Sequence, residues 1–216
     1  MKWVNISDEL IDILQPYTDW FFSQDLTELE KHIDGKRAGD ETIDTACEKE
    51  YLDMIVAKDG AHVGYPEHTK SIDILMDERT PREHREKCQE LNRELCAYLG
   101  ARNQAVQVYY PKDGFMAWHN NWNASGYNIL LSYSPTGNGF FKYLDPKTKE
   151  LVTMKDKAGW ACKVGYYGRG REPDKVYYHC AGSYEDRLTL GFVIPHLELW
   201  RNMIEDISGE DATSYQ

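Results

Sequence analysis

The sequence predicts a mainly β protein with flanking helices, built as one domain over residues 1–216. Three observations carry this expectation. After Gly100 a series of short β-rich stretches follows, broken by turns rich in Gly, Pro and Asp. Residues 1–100 show helical patterns and no comparable alternation. The last apolar segment, "IPHLELWRNMIEDI", returns to helical spacing. Short strands at this spacing form a sandwich or a barrel, and a jelly roll is one solution.

Taken in order, "SDELIDILQPYTDWFF" reads as a helix capped by Ser7, with Pro16 expected to interrupt it. Residues 34–70 are polar, acidic and without a clear period, which predicts loop with short elements. The clearest helix is 81–99. Thr80 is placed to cap it, Pro81 suits its first turn, and Glu83 would complete a capping box. Cys88, Leu91, Leu95 and Leu99 make its apolar stripe, and Gly100 supplies the stop. The predicted strands are 104–110, 127–134, 139–145, 151–154, 160–167, 175–179 and 187–194. No repeat and no linker separates two units.

Bulk properties narrow the function. Hydrophobic residues make up 41% and charged residues 28%, ordinary for a globular chain. The net charge of −11 repels a phosphate backbone, so nucleic acid is an unfavourable partner. The one basic stretch, "GRGREPDK" (168–175), reads as a solvated loop. No apolar run reaches the roughly 20 residues of a bilayer span, and the acidic, amphipathic N-terminus is not a secretory leader. Cys47, Cys88, Cys96, Cys162 and Cys180 are odd in number and form no CxxC, which predicts reduced thiols and a cytoplasmic setting.

Three residues of the β half stand out together: His119 in "AWHNNW", His179 closing "KVYYH", and Arg187 opening "RLTLGFVI". Alone, each has a structural explanation, as a hydrogen-bonded rim histidine or half of a salt bridge. Their order points to more. A non-haem Fe(II) site of the facial kind takes two imidazoles and a carboxylate and leaves three positions open. A 2-oxoglutarate cosubstrate fills two of these, and its far carboxylate suits a permanently charged, planar fork.

From about Gln107 to Ile194 the chain resembles the 2-oxoglutarate/Fe(II)-dependent oxygenase family. It is similar to the branch of prolyl hydroxylases and nucleic-acid demethylases, and to small phage-borne oxygenase-like proteins. The stretches that carry the resemblance are "YYPKDGFMAWHNN", "GNGFFKYLDP" and "YYHCAGSYEDRLTLGFVI". It implies a double-stranded β-helix (jelly-roll) core over 101–195, a mostly helical N-terminal support over 1–100, and a C-terminal helix and tail over 196–216. By the same resemblance His119 and His179 would bind iron, and Arg187 would pair with the far carboxylate of 2-oxoglutarate. Thr189, Tyr110 and Asn128 would complete the cosubstrate site, with Fe(II), 2-oxoglutarate and O2 consumed or held there.

The chain departs from the family at the third ligand. The family's turn is H-x-D or H-x-E, and here that position is Asn121. A carboxamide oxygen is a neutral, weaker donor. The expected activity is hydroxylation of a C–H bond in a small-molecule or peptidyl substrate. A halogenase-type enzyme and a decayed jelly-roll binding module are the alternatives. Asp145 is a less favoured ligand, because "DPKTKE" reads as a turn. A zinc enzyme is the other metal reading, but the chain has no HExxH and zinc leaves Arg187 unexplained. Cys180 points to the opposite strand face from His179 and reads as a buried structural thiol. Trp118, Trp122, Tyr127 and Tyr133 are candidates to wall the pocket.

Overall fold

The computed structural model describes residues 1–33, 35–58, 65–121, 125–168 and 172–215. Trp122 and the centre of "GRGREPDK" lie outside the described residues. The chain begins with β1 (Lys2–Val4) and α1 (Asp8–Ser23), then runs through the short helices α2 (Thr27–Glu30), α3 (Gly35–Ala38), α4 (Ile43–Ala46) and α5 (Lys49–Ala57). Two-residue strands β2 (Thr69–Lys70) and β3 (Ile72–Asp73) precede α6 (Arg82–Tyr98). Then come β4 (Asn103–Tyr110), β5 (Gly114–His119), β6 (Gly126–Ser134), β7 (Gly139–Leu144) and β8 (Leu151–Lys155). The chain continues through β9 (Gly159–Tyr167), β10 (Tyr178–Ser183), β11 (Arg187–Ile194) and α7 (Leu197–Ser208).

The strands form two antiparallel sheets, in the orders β1-β9-β6-β11-β4-β3 and β2-β5-β10-β7-β8. Leaving out β1, β2 and β3, these orders interleave β4 to β11 as two Greek keys, the strand order of a jelly roll. The fold is therefore mainly β, two antiparallel sheets with flanking helices, as the sequence predicts.

Side-chain alternation sorts each strand between cavity and helix. On β6, β9 and β11 the residues Ile129, Leu131, Cys162, Val164, Leu188, Leu190 and Phe192 face outward and pack under α1, α6 and α7. The β5–β10–β7 sheet turns Phe115, Ala117, Phe140 and Cys180 to α4 and α5, where Ile43, Tyr51, Leu52 and Ile55 cover them. Between the sheets lie Val108, Met116, Leu130, Phe141, Tyr143 and Tyr167. Burying one face of each sheet under helices leaves the space between the sheets for polar side chains.

Three local expectations need correction. Pro16 does not interrupt α1; it sits exposed inside the helix. Its missing N–H leaves one carbonyl to water, and burial of Leu10, Leu14, Tyr17 and Phe21 outweighs the ~3 kcal/mol a mid-helix proline costs. Ser7 does cap α1, accepting from the Leu10 N–H at 3.3 Å. Thr80 does not cap α6: Pro81 is the N-cap with no side-chain cap bond, and the buried Thr80 hydroxyl has no partner among the described residues. The third concerns strands. "GFMAWH" forms β5, a strand absent from the predicted set, and β10 covers Tyr178–Ser183 where the sequence predicts 175–179. Gly182 and Ser183, turn-formers by type, are held in β10 by pairing on both sides with Phe115 and Gly114 of β5 and with Phe140 and Gly139 of β7.

Candidate active site

His119 and His179 are cross-strand partners at the ends of β5 and β10. The pairing has a register shift: His179 faces His119, whereas Ala181 faces Met116, so β5 spends one residue more than β10. This bulge sets the site. A regular strand would put Met116 and Trp118 on the cavity face and His119 outside. With the extra residue, Ala117 and Trp118 both pack outward with α4 and α5, and His119 turns in beside Met116. The rings of His119 and His179 lie 4.2 Å apart between centroids, tilted by 55°.

Each imidazole is pinned by its own backbone. His119 Nδ1 lies 2.8 Å from the Ala117 carbonyl, and His179 Nδ1 lies 3.1 Å from the Tyr177 carbonyl. A carbonyl only accepts, so each Nδ1 carries the proton and donates it. In the neutral ring the lone pair then sits on Nε2, the tautomer a metal-ligating histidine needs. Burial pushes the pKa of His179 well below its ordinary value, and the neighbouring His119 adds to the shift. Phe141 stacks on the His179 ring at 5.5 Å, and Tyr167 meets it edge-on at 5.2 Å.

A cavity of ≈ 370 Å³ between the sheets is lined by both histidines and by Asn121, Tyr110, Asn128, Arg187 and Thr189. All seven residues singled out from the sequence therefore meet around one space. Its size suits a small ligand. Asn128 uses its side-chain N–H on the Gly126 carbonyl at 2.8 Å. Asp145 is absent from the lining; its carboxylate accepts from the Lys147 and Thr148 N–H groups and closes its own turn. Trp118, Tyr127 and Tyr133 do not wall the cavity either. Tyr127 and Tyr133 lie on the outward face of β6, where they pack toward α7 and α1.

Arg187 is 1% exposed and makes four side-chain hydrogen bonds inside the protein. Its Nε and Nη2 donate to the Asp156 carboxylate at 2.6 and 3.4 Å, Nη1 to Thr189 Oγ1 at 2.5 Å, and Nη2 also to Ser132 Oγ at 3.2 Å. Its guanidinium lies over the Tyr110 ring, 5.1 Å from the centroid. Asp156 also accepts from Lys163 Nζ at 3.1 Å, and both side chains are 1% exposed. Burial pushes the Asp156 carboxyl up, but the charges and hydrogen bonds of Arg187 and Lys163 outweigh it and hold it down at about 2. Burial lowers Lys163 to about 8, against the pull of Asp156 and with the repulsion of Arg187. The pair is asymmetric for a simple reason: the one carboxylate faces two cations.

Sequence reasoning missed Lys163 and Asp156. The signal for Lys163 was present, since in "WACKVGYY" it alternates with Cys162 and Val164 and so shares a face with Ala161 and Gly165. Asp156 sits in the turn "KDKAG", where an aspartate looks solvated. Its backbone N–H donates to the Gly139 carbonyl at 2.9 Å, which ties the turn to β7. Gly139 also matters by being small. A Cβ there would lie 2.5 Å from Asp156 Oδ2 and 3.2 Å from Arg187 Cδ.

Two imidazoles and the Asn121 carboxamide line one end of the same cavity as neutral nitrogen and oxygen donors, the kinds of ligand a ferrous ion accepts. Among the described residues no three His, Cys, Asp or Glu side chains converge, so the set is one charge poorer than two histidines and a carboxylate.

No protein-family model matches the chain, and no curated protein matches it in sequence. In structure it is similar to a prolyl-4-hydroxylase from Pseudomonas putida, at 15% identity and TM-score 0.31, over 59% of this chain and 70% of that one. It is also similar to a prolyl hydroxylase from Trichoplax adhaerens, solved with a hypoxia inducible factor oxygen degradation domain peptide fragment, at 14% identity and TM-score 0.37 over 74% and 81%. A cupin-like protein from Thermotoga maritima matches at 14% identity and TM-score 0.25, over 47% and 70%. No helix among the described residues is long and apolar enough to cross a membrane. At these identities and TM-scores the likenesses add nothing to what the strand order and the cavity already establish.

Proposed function

We propose that the chain is a non-haem Fe(II)- and 2-oxoglutarate-dependent oxygenase that hydroxylates a C–H bond of a small-molecule or peptidyl substrate in the cytoplasm. One observation supports this above the rest. Two backbone-pinned imidazoles and a buried cationic cluster line the same cavity from opposite sheets. His119, His179 and the Asn121 carboxamide would hold the metal. When bound, Fe(II) supplies redox chemistry with O2 and 2-oxoglutarate that ends in hydroxylation.

The chain's own residues do the rest. The Ala117 and Tyr177 carbonyls fix both ring tautomers, so ligation requires no reorientation. Depression of the His179 pKa keeps that ring neutral and able to ligate at physiological pH. The cationic cluster on β9 and β11 fixes the anionic end of the cosubstrate, and Tyr110, Asn128 and Thr189 set its orientation. Met116, Leu130, Phe141 and Tyr167 keep bulk water from the reacting atoms.

Asn121 favours one second reading, a binding module that takes the dicarboxylate but has lost its metal. Anaerobic titration with Fe(II) and 2-oxoglutarate separates the two. The oxygenase reading expects a weak visible charge-transfer band and a raised melting temperature. Stabilisation by 2-oxoglutarate with no band, with or without Fe(II), would leave the binding module. Asn121→Asp adds the missing negative charge and should tighten Mn(II) binding by about tenfold or more, in line with a charge-assisted contact. Unchanged affinity would place Asn121 outside the coordination sphere.

A further inference from the structure

We propose that Lys163 on β9, and not Arg187, is the cation that receives the outer carboxylate of the cosubstrate, Arg187 being a fixed counter-charge locked to Asp156. The inference rests on the 2-oxoglutarate reading above and names the residue that sets its specificity.

Donor accounting carries it. A guanidinium has five N–H donors. Arg187 directs Nε and both terminal nitrogens at Asp156, Thr189 and Ser132, in four hydrogen bonds. The Nε/Nη2 edge, one of its two edges able to grip a carboxylate, is occupied by Asp156, and the Nη1/Nη2 edge is engaged by the Thr189 and Ser132 hydroxyls. An ammonium has three donors, and Lys163 gives one to Asp156 Oδ1. Among the described residues its only other neighbours of note are aromatic faces, Trp3 at 4.9 Å and Phe141 at 5.5 Å. Aromatic faces steady a cation but accept poorly, so two N–H groups remain for a ligand.

Position and charge agree with the donor count. Lys163 and Arg187 line the cavity, while Asp156 does not and lies behind them. Two cations and one carboxylate leave the cluster one positive charge in excess, buried at 0% and 1% exposure. An uncompensated buried charge is costly, and an anion entering the cavity removes that cost. Phe141 touches both ends of the space, lying beside Lys163 and stacked on His179. A ligand that reaches from the imidazoles to Lys163 therefore runs along one aromatic ring. The hydroxyls of Ser132 and Thr189 accept from Arg187, which turns their own O–H groups into donors for the same carboxylate.

The test compares two oxo acids, 2-oxoglutarate and 2-oxopentanoate, which share a chain length but differ in the outer carboxylate. Binding is measured by calorimetry without oxygen, with Mn(II) in place of iron. The wild-type protein should prefer 2-oxoglutarate by about 30-fold, the scale of a charge-assisted hydrogen-bond set. Lys163→Met, which keeps length and removes charge, should reduce that preference to about threefold or less, with Mn(II) affinity unchanged. Lys163→Arg should keep most of it. In wild-type protein labelled at lysine, the Lys163 side-chain resonances should shift with 2-oxoglutarate and not with 2-oxopentanoate, a readout independent of how the variants fold. A Lys163→Met protein with the full preference, or silent Lys163 resonances, overturns the assignment while leaving the cosubstrate reading intact. A wild-type protein that binds neither acid overturns both.

Discussion

The two walls of the cavity solve opposite problems. On the β5–β10 side two imidazoles lie together, each held by a carbonyl two residues back in its own chain, and burial holds His179 well below its ordinary pKa. On the β9–β11 side the polar groups are kept ionised: Lys163 and Arg187, both compensated by one aspartate from a turn. A neutral ring with a fixed lone pair suits a metal, and a cluster with one spare positive charge suits an anion. The lesson is that burial alone does not decide protonation. Beside His179 the Tyr177 carbonyl opposes burial and is outweighed, whereas the Asp156 carboxylate, facing two cations, outweighs burial and stays ionised.

The comparison is broken most severely at Asp156. Asp156→Ala leaves two buried cations facing each other, and loss of one partner from such a cluster should destabilise the fold by about 3–5 kcal/mol in urea unfolding. A change below about 1 kcal/mol would show that water reaches the cluster and screens it. His179→Ala, on the neutral wall, should act differently. Mn(II) affinity should fall by more than the roughly 10- to 100-fold expected from losing only an outer-shell partner. The Asp156 cluster, and with it the acid sensitivity described below, should be untouched.

Gly139→Ala probes the charged wall more gently. The added methyl meets the Asp156 carboxylate and the Arg187 stem, and overpacking of this kind costs about 1–3 kcal/mol. Its melting temperature should fall while Mn(II) binding stays. The smallest effect is on pH. Asp156 and Glu185 are both held down at about 2, Asp156 by its two cations against burial, and Glu185, also against burial, by Ser134, Thr136 and the Asn138 N–H. Both folded values lie below the unfolded carboxylate range of about 4, so their contribution is full above that range. It is lost as pH falls from about 4 to about 2. Melting curves across that window should slope downward, and Asp156→Asn should flatten part of the slope. An unchanged slope in Asp156→Asn would assign the acid response to Glu185 and other carboxylates.

Much of this was legible in the sequence, for identifiable reasons. Strands such as "YNILLSYS" and "RLTLGFVI" alternate cleanly because one face is covered by helices, so their position and orientation follow from pattern. The motif order placed His119, His179 and Arg187 in one cavity because a jelly roll brings β5, β10 and β11 around one axis. What was hidden depends on register and on distant pairing. "GFMAWH" has no strand alternation, since its bulge puts Ala117 and Trp118 on the same side. Trp118 therefore looked like a pocket wall and is a core residue beneath α4 and α5. The partner of Arg187 was hidden because Asp156 reaches it from a turn, 31 residues earlier in the chain. Pairing of that kind leaves no periodic trace.

The extra residue in β5 also makes the site depend on counting. Strand faces repeat every two residues, so the imidazole of His119 reaches the cavity only because an odd step is inserted between Met116 and His119. Restoring strict alternation over the same residues, Met116 to His119, would keep every residue of the site. It would also rotate His119 into the helical layer and send Trp118 into the space meant for the ligand. The active site is in this sense written in parity: its chemistry can be switched off by a change that removes none of its residues.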